Sequence, residues 1–240
     1  MRVGLIVDSA CDLPYEFSRK HDLFVLPVTA IIDGQTYIDT HDPVRTQEFY
    51  QSGLLDKGHQ AETEAFSAEQ IHNLFMEKIV TQFDVAICET VTRSRSQIFD
   101  HASEAMNTVM ANYEGARKAA GREGKFSMRV IDSKQIFAGQ GLLAAHTLRL
   151  INQKVSKNTL RHEVETFTDK IYTCVIPRDL HYIRERARRR GDKSVSAMAA
   201  FMGKVLNINP VIFGQGVEGK LAASEAARFT QVVVLPTPPF

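Results

Sequence analysis

Tryptophan is absent and cysteine is scarce: Cys11, Cys88 and Cys174 are odd in number and far apart, which gives no disulfide framework. Two of the three lie in apolar runs and read as small buried core residues, as a reducing cytoplasm would allow. No apolar stretch reaches membrane-spanning length, and Met1–Pro14 carries one basic residue and a short apolar segment ended by Asp8, so a soluble, cytoplasmic protein without a membrane span is expected. Charge of either sign is not in excess: 29 basic and 28 acidic residues leave a net +1. No global field therefore points to nucleic acid or a membrane surface. The eight histidines are scattered with no pair at helical ligand spacing. Neither H-E-x-x-H nor C-x-x-C occurs, so no metal site is expected. G-x-S-x-G and the P-loop are missing too, and no cofactor is expected.

What is present is a 240-residue chain with 44% hydrophobic content, enough for one large or two small α/β units. The stretch around which the chain is organised is Phe83–Ala102. Val85–Cys88 is a short apolar run of the kind buried in a parallel sheet. Hydroxyls follow at Thr90, Thr92, Ser94 and Ser96, and from Ile98 the apolar residues take helical spacing to about Ala120. Strand, polar loop and helix in that order place the loop in the crevice beyond the strand ends, with helix-start amides favouring an anion. Ser94 or Ser96 as a simple N-cap is the plainer alternative.

Along the rest of the chain, Val3–Val7 predicts a central parallel strand, Pro14 opens a helix through Tyr15, Phe17 and Ser18 with Asp12 or Ser9 as cap, and Leu23–Ile32 forms a second strand region with an edge or bulge at Pro27. Asp33-Gly34 predicts a hairpin returning through Gln35–Ile38. A helix spans Asp42–Gln51. Ser67–Gln70 is a capping box for a helix carrying Ile71, Leu74, Phe75 and Ile79, and Thr63 is expected on the loop before it. Met128–Ile131 is a strand closed by Asp132-Ser133. Gly139-Gln140-Gly141 matches a dinucleotide fingerprint by letter but stands seven residues beyond that strand, so a helix start packed closely on its neighbours, with Leu142, Ala145 and Leu148 inward, is the better expectation. The helix runs to about Asn152, and the polar break Gln153–Asn158 marks a domain boundary, giving units at 1–155 and 156–240. The second holds a helix at Thr159–Phe167, a strand at Ile171–Ile176, an amphipathic segment at Ser196–Val205 and an extended stretch at Leu206–Phe213. Arg184–Lys193, with six basic and two acidic residues, reads as a solvated helix end or a phosphate patch.

Asp8, Asp12 and Asp132 stand at strand ends, where they serve as acid–base groups of an enzyme on a small acidic or phosphorylated substrate or as caps and turn residues. A nucleic-acid-binding role through Arg184–Lys193 is a third reading.

The motifs in order resemble the DegV family of bacterial fatty-acid-binding proteins: Asp8-Ser9-Ala10-Cys11-Asp12-Leu13-Pro14, the Asp33-Gly34 hairpin with Tyr37 and Asp39, Thr63 ahead of a capped helix, the hydroxyl loop to Ser96, Val130–Ser133 with Gly139 and Gly141, and Leu206–Val211. The resemblance implies two α/β domains, the first with a mostly parallel sheet, and a long-chain fatty acid in the cleft between them. It implies a non-enzymatic carrier that presents the lipid to a fatty acid kinase. Thr63 and Ser96 match the two hydroxyls that hold the carboxylate, with Thr92 and Arg93, in place of the family's serine pair, beside them as ligand-binding residues. Glu64 replaces a serine next to Thr63, Gln97-Ile98 replaces a Gly-Thr, and Gly191–Ser194 departs from a Gly-Gly-Arg segment. Glu64 would oppose a bound carboxylate unless it points away or pairs with Arg93 or Arg95. Because the family continues well beyond residue 240, the second domain is expected to be truncated or altered.

Overall fold

A computed structural model describes residues 1–56, 58–175 and 212–214. Four parallel strands form the main sheet: β1 (Val3–Asp8), β2 (Phe24–Leu26), β6 (Val85–Thr90) and β7 (Ser127–Asp132), in the order β2-β1-β6-β7. The continuous apolar runs in β1 and β6 follow from burial on both faces. Side-chain alternation divides them. Ile6, Ala86 and Cys88 face helices α3 (Ala68–Leu74, continued by a π-helical turn, Phe75–Ile79) and α4 (Ile98–Ala119). Leu5, Val7 and Ile87 face α5 (Ala138–Asn152) and α6 (Lys157–Thr168). Although α6 follows the polar break at 153–158, Leu160 and Val164 are buried in the same core as β1 and α5. Gly4 is needed in β1 because a Cβ there would lie 2.7 Å from the Phe83 ring.

From β1 the chain turns one way, through α1 (Tyr15–Lys20), to β2, and later reaches β6 on the other side. The order reverses between β1 and β6, which is where an open α/β sheet leaves a ligand crevice. An excursion separates the halves. The Leu23–Ile32 region is two strands, because Pro27, which has no N–H for a ladder, hands the chain from β2 to β3 (Val28–Ile32) of a second sheet. That antiparallel sheet has the order β4-β3-β5. The hairpin into β4 (Gln35–Asp39) turns on Asp33 and Gly34 at φ 48° and 80°, as a two-residue type I′ turn requires. The helix α2 (Pro43–Gln51) starts on Asp42, whose carboxylate accepts the Val44 and Arg45 N–H groups.

Several local expectations change. Thr63 lies in β5 (Ala61–Ala65), paired opposite Ala30 of β3, and not on a loop. Neither Asp12 nor Ser9 caps α1, whose N-cap is Pro14; the Ser9 hydroxyl accepts the Val28 N–H instead. The inner face of α5 is Leu143, Ala144, Thr147 and Leu148, while Leu142 is 51% exposed. Close packing at its start does hold: a Cβ on Gly141 would lie 2.5 Å from the Asp12 carbonyl oxygen. The strand expected over 171–176 is β8 (Thr173–Val175), antiparallel to β9 (Ile212–Gly214). Arg184–Lys193, Ser196–Val205, the stretch 206–211 and most of the proposed 156–240 domain lie outside the described residues. Among those described, the cysteines are free and no helix is long and apolar enough to cross a membrane.

At the far end of the sheet Arg117, 2% exposed, fixes the C-terminus of α4. It donates to the carbonyls of Val80, Phe83, Glu123 and Gly124 and pairs with Asp84. Replacing it with methionine takes the guanidinium donor from the buried Val80 and Phe83 carbonyls and from Asp84. Arg117→Met should lower unfolding free energy in urea by about 3–5 kcal/mol, with little recovery by Arg117→Lys because an ammonium lacks the planar fork. A loss below about 1 kcal/mol would mean the site refills with water at little cost.

Candidate functional site

Three loops meet beyond the carboxyl ends of β1, β6 and β7, and backbone bonds hold them in register. The buried carboxylate of Asp8 accepts the Ala10 N–H at 3.0 Å and, across the sheet, the Val91 N–H at 2.5 Å. Burial raises its pKa to about 6 against the lowering effect of those amides. Ser133 N–H donates to the Thr90 carbonyl and Thr92 N–H to the Gln135 carbonyl, so the β6–α4 loop is tied to the β7–α5 loop. Asp132 accepts the Arg93 and Lys134 N–H groups on one oxygen. Asp8 and Asp132 thus act as braces of the crevice. As an acid–base pair, Asp8 would need access to substrate, and it is fully buried.

The braced loop presents the start of α4. Its N-cap position is Gln97, which makes no side-chain cap bond, and the Ser96 hydroxyl accepts the Ile98 N–H at a long 3.3 Å. A 22-residue helix therefore offers first-turn amides and a hydroxyl proton with little side-chain competition. Thr92 is buried, its hydroxyl 3.2 Å from that of Ser94. Arg93 is exposed, 2.9 Å from Asp100 and over the Phe99 ring. The structure brings Thr92, Arg93 and Ser96 together on one loop. Thr63 lies on the second sheet, and among the described residues no hydrogen bond joins it to that loop; the nearest tie is His101 of α4, 2.7 Å from the Phe66 carbonyl just past β5. Strand alternation puts Glu64 on the face opposite Thr63, and the Arg93 partner is Asp100, not Glu64. A depression of about 430 Å³ lined by residues such as Tyr113, Lys118 and Lys125 lies at the other end of α4, away from this loop.

Sequence reasoning missed Glu89. It is fully buried near the end of β6, with one carboxyl oxygen accepting the Thr147 hydroxyl of α5 and the other, Oε2, unpartnered. Gln140 donates to its carbonyl oxygen at 3.2 Å. The legible signal was Gln140 and Thr147, seven apart on the apolar face of α5, which calls for a buried polar partner. Burial pushes the Glu89 carboxyl up to about 8, so it is mostly neutral at pH 7. The folded state then holds a proton that the unfolded chain releases near pH 4.5, and stability falls as pH rises from about 4.5 to about 8. Glu89→Gln should match wild type near pH 4 and become the more stable form by pH 8–9, by on the order of a few kcal/mol in denaturant titrations. Parallel pH profiles for the two proteins would contradict a buried neutral carboxyl.

The sequence model described as "Uncharacterised protein, DegV family" matches residues 2–231. A DegV domain-containing protein of Xanthomonas axonopodis pv. citri is 42% identical over 212 residues, covering 88% of this chain and 68% of that protein. Among solved structures, a stearic-acid-binding protein from Eubacterium ventriosum superposes with a TM-score of 0.74 at 26% identity, covering 92% of this chain and 69% of that one. DegV of Bacillus subtilis, described as a fatty acid binding protein, has the same fold at a TM-score of 0.63 and 18% identity, over 90% of this chain and 68% of its own. A match over nearly the whole length, a close curated relative and a shared fold agree, and the chain belongs to the DegV family.

Proposed function

We propose that this protein binds a long-chain fatty acid as a carrier, with the carboxylate at the start of α4 and the hydrocarbon chain in an apolar tunnel between the parallel-sheet unit and the C-terminal domain. The observation that carries the reading is the first turn of α4, which has no side-chain cap from Gln97 and only a long bond from the Ile98 N–H to the Ser96 hydroxyl, on a loop braced by Asp8 and Asp132. A carboxylate there meets several N–H donors and the positive end of a long helix dipole. The Eubacterium ventriosum protein of the same fold is described as binding stearic acid, which supports the ligand class. Thr63 supplies the second hydroxyl from β5, and Thr92 orients the loop from beneath. Arg93 adds a cation at the rim when it leaves Asp100. The carrier presents its lipid to a partner such as a fatty acid kinase, which does the chemistry, and works in the cytoplasm with its cysteines reduced.

Ser96→Ala tests the site. Losing a hydrogen bond to a charged group costs about 1.5–3 kcal/mol, so affinity for oleate, measured by displacement of a fluorescent fatty acid, should fall about tenfold or more while the melting temperature stays put. A lowered melting temperature with unchanged affinity would make Ser96 a helix cap and nothing more.

A further inference from the structure

We propose that Gln135 is a positioning residue through which the β8–β9 strand pair sets the geometry of the Thr92–Ser96 loop; as a statement about ligand binding, this rests on the site proposed above. Gln135 is 2% exposed and almost all its polar atoms are committed. Its backbone carbonyl accepts the Thr92 N–H at 2.9 Å. Its side chain points the other way, Nε2 donating to the Ile171 carbonyl at 3.0 Å and Oε1 accepting the Thr173 hydroxyl at 2.6 Å. One residue thus joins the candidate carboxylate loop to the first residue of β8, and β8 is paired with β9, which arrives from beyond residue 211.

The seat for this junction is specific. A Cβ on Gly139 would lie 2.0 Å from the Thr173 hydroxyl oxygen and 2.8 Å from Gln135 Oε1, so only glycine lets β8 close onto the start of α5. Phe137, between them, has φ 49° and ψ −120°, a conformation that an L-residue holds only where its surroundings over-determine it. Its carbonyl accepts both the Asp12 and the Gly141 N–H. The segment from Ser133 to Gly139 is therefore pinned at both ends. A shift of β8 that breaks the Thr173 bond leaves the Gln135 side chain held by the Ile171 carbonyl alone, and the backbone carbonyl that holds Thr92 keeps only the Ser133 hydroxyl beside it, so the loop is more weakly anchored. Lipid held at the loop and the pairing state of β8 and β9 should then report on each other, as reciprocal coupling demands.

Thr173→Val tests this, since it keeps the shape and removes the hydroxyl. In the full chain free of lipid, hydrogen–deuterium exchange over residues 91–97 should speed up about fivefold or more, with exchange in β1 unchanged. Thr173→Ser should restore it, which simple packing would not explain. Oleate affinity should fall by a similar factor, and the loss in the Thr173→Val/Ser96→Ala double variant should be smaller than the product of the single losses. If Thr173→Val is poorly folded, Thr173→Ala carries the same expectation. Unchanged exchange over 91–97 overturns the coupling whatever the lipid result. Wild-type protein that binds no oleate overturns the site reading, while faster exchange in the variant would still establish the mechanical link.

Discussion

Asp8 accepts an amide from its own loop and one from the loop after the neighbouring strand, and by doing so it defines where the sheet ends and the site begins. Without that buried carboxylate, the Val91 N–H would be left unpaired in a buried position, and the β6–α4 loop would have no fixed path away from the strand. The remaining braces build on it: Ser133 to Thr90, Thr92 to Gln135 and Arg93 to Asp132. The loop that opens α4 is thus made from mutual backbone satisfaction. The half-buried Ser96 hydroxyl and the amides at the helix start are the polar groups this bracing leaves least committed. Preorganised donors of this kind cost little reorganisation when an anion arrives.

The same crevice is expensive to maintain. Asp8 and Glu89 are carboxyls without solvent, and Glu89 Oε2, Thr90 Oγ1 and Gln140 Oε1 are buried without a partner. Phe137 adds backbone strain of about 1–3 kcal/mol. Stability for these groups comes from the two apolar layers, where Ile6, Ile71, Phe75 and Ile98 on one side and Leu5, Leu143, Leu160 and Val164 on the other are almost wholly removed from water. Unpartnered polar groups and backbone strain gathered at the strand ends are what a binding site on a rigid scaffold is expected to show.

Much of this was legible in the residues. Strands β1 and β6 announce themselves because burial on both faces demands a near-continuous apolar run, which stops at Asp8 and at Glu89-Thr90, while the edge strand β7 shows a shorter one, broken by Arg129 and closed by Asp132. Asp33-Gly34 and Ser67–Gln70 carry their geometry locally, one through positive φ, the other through reciprocal caps. Ala61–Ala65 does not. Its sequence, AETEA, has no apolar face to betray a strand, and its conformation comes from pairing with β3 some thirty residues earlier. Pro27 reads correctly as a ladder breaker, yet only the tertiary fold decides that the chain changes sheets there. On α5 Leu148 faces inward as expected, but the turn before it does not follow: Leu142 is exposed, and Leu143 and Ala144 fill the inner face. The place of Ser96 at the start of α4 could be read from the strand-loop-helix order. Glu89 could not be found by treating an acid as a strand boundary, and the Gln135–Thr173 contact spans 38 residues with no local trace.

The central claim is that a fatty acid is the natural occupant of the α4 start. Organic extraction of the purified full chain, followed by mass spectrometry against a delipidated control, tests it directly. A long-chain fatty acid recovered at close to one per chain from the wild type, and depleted in Ser96→Ala, is the predicted result. Wild-type protein that carries no fatty acid and, once delipidated, takes up none from oleate solution would contradict it.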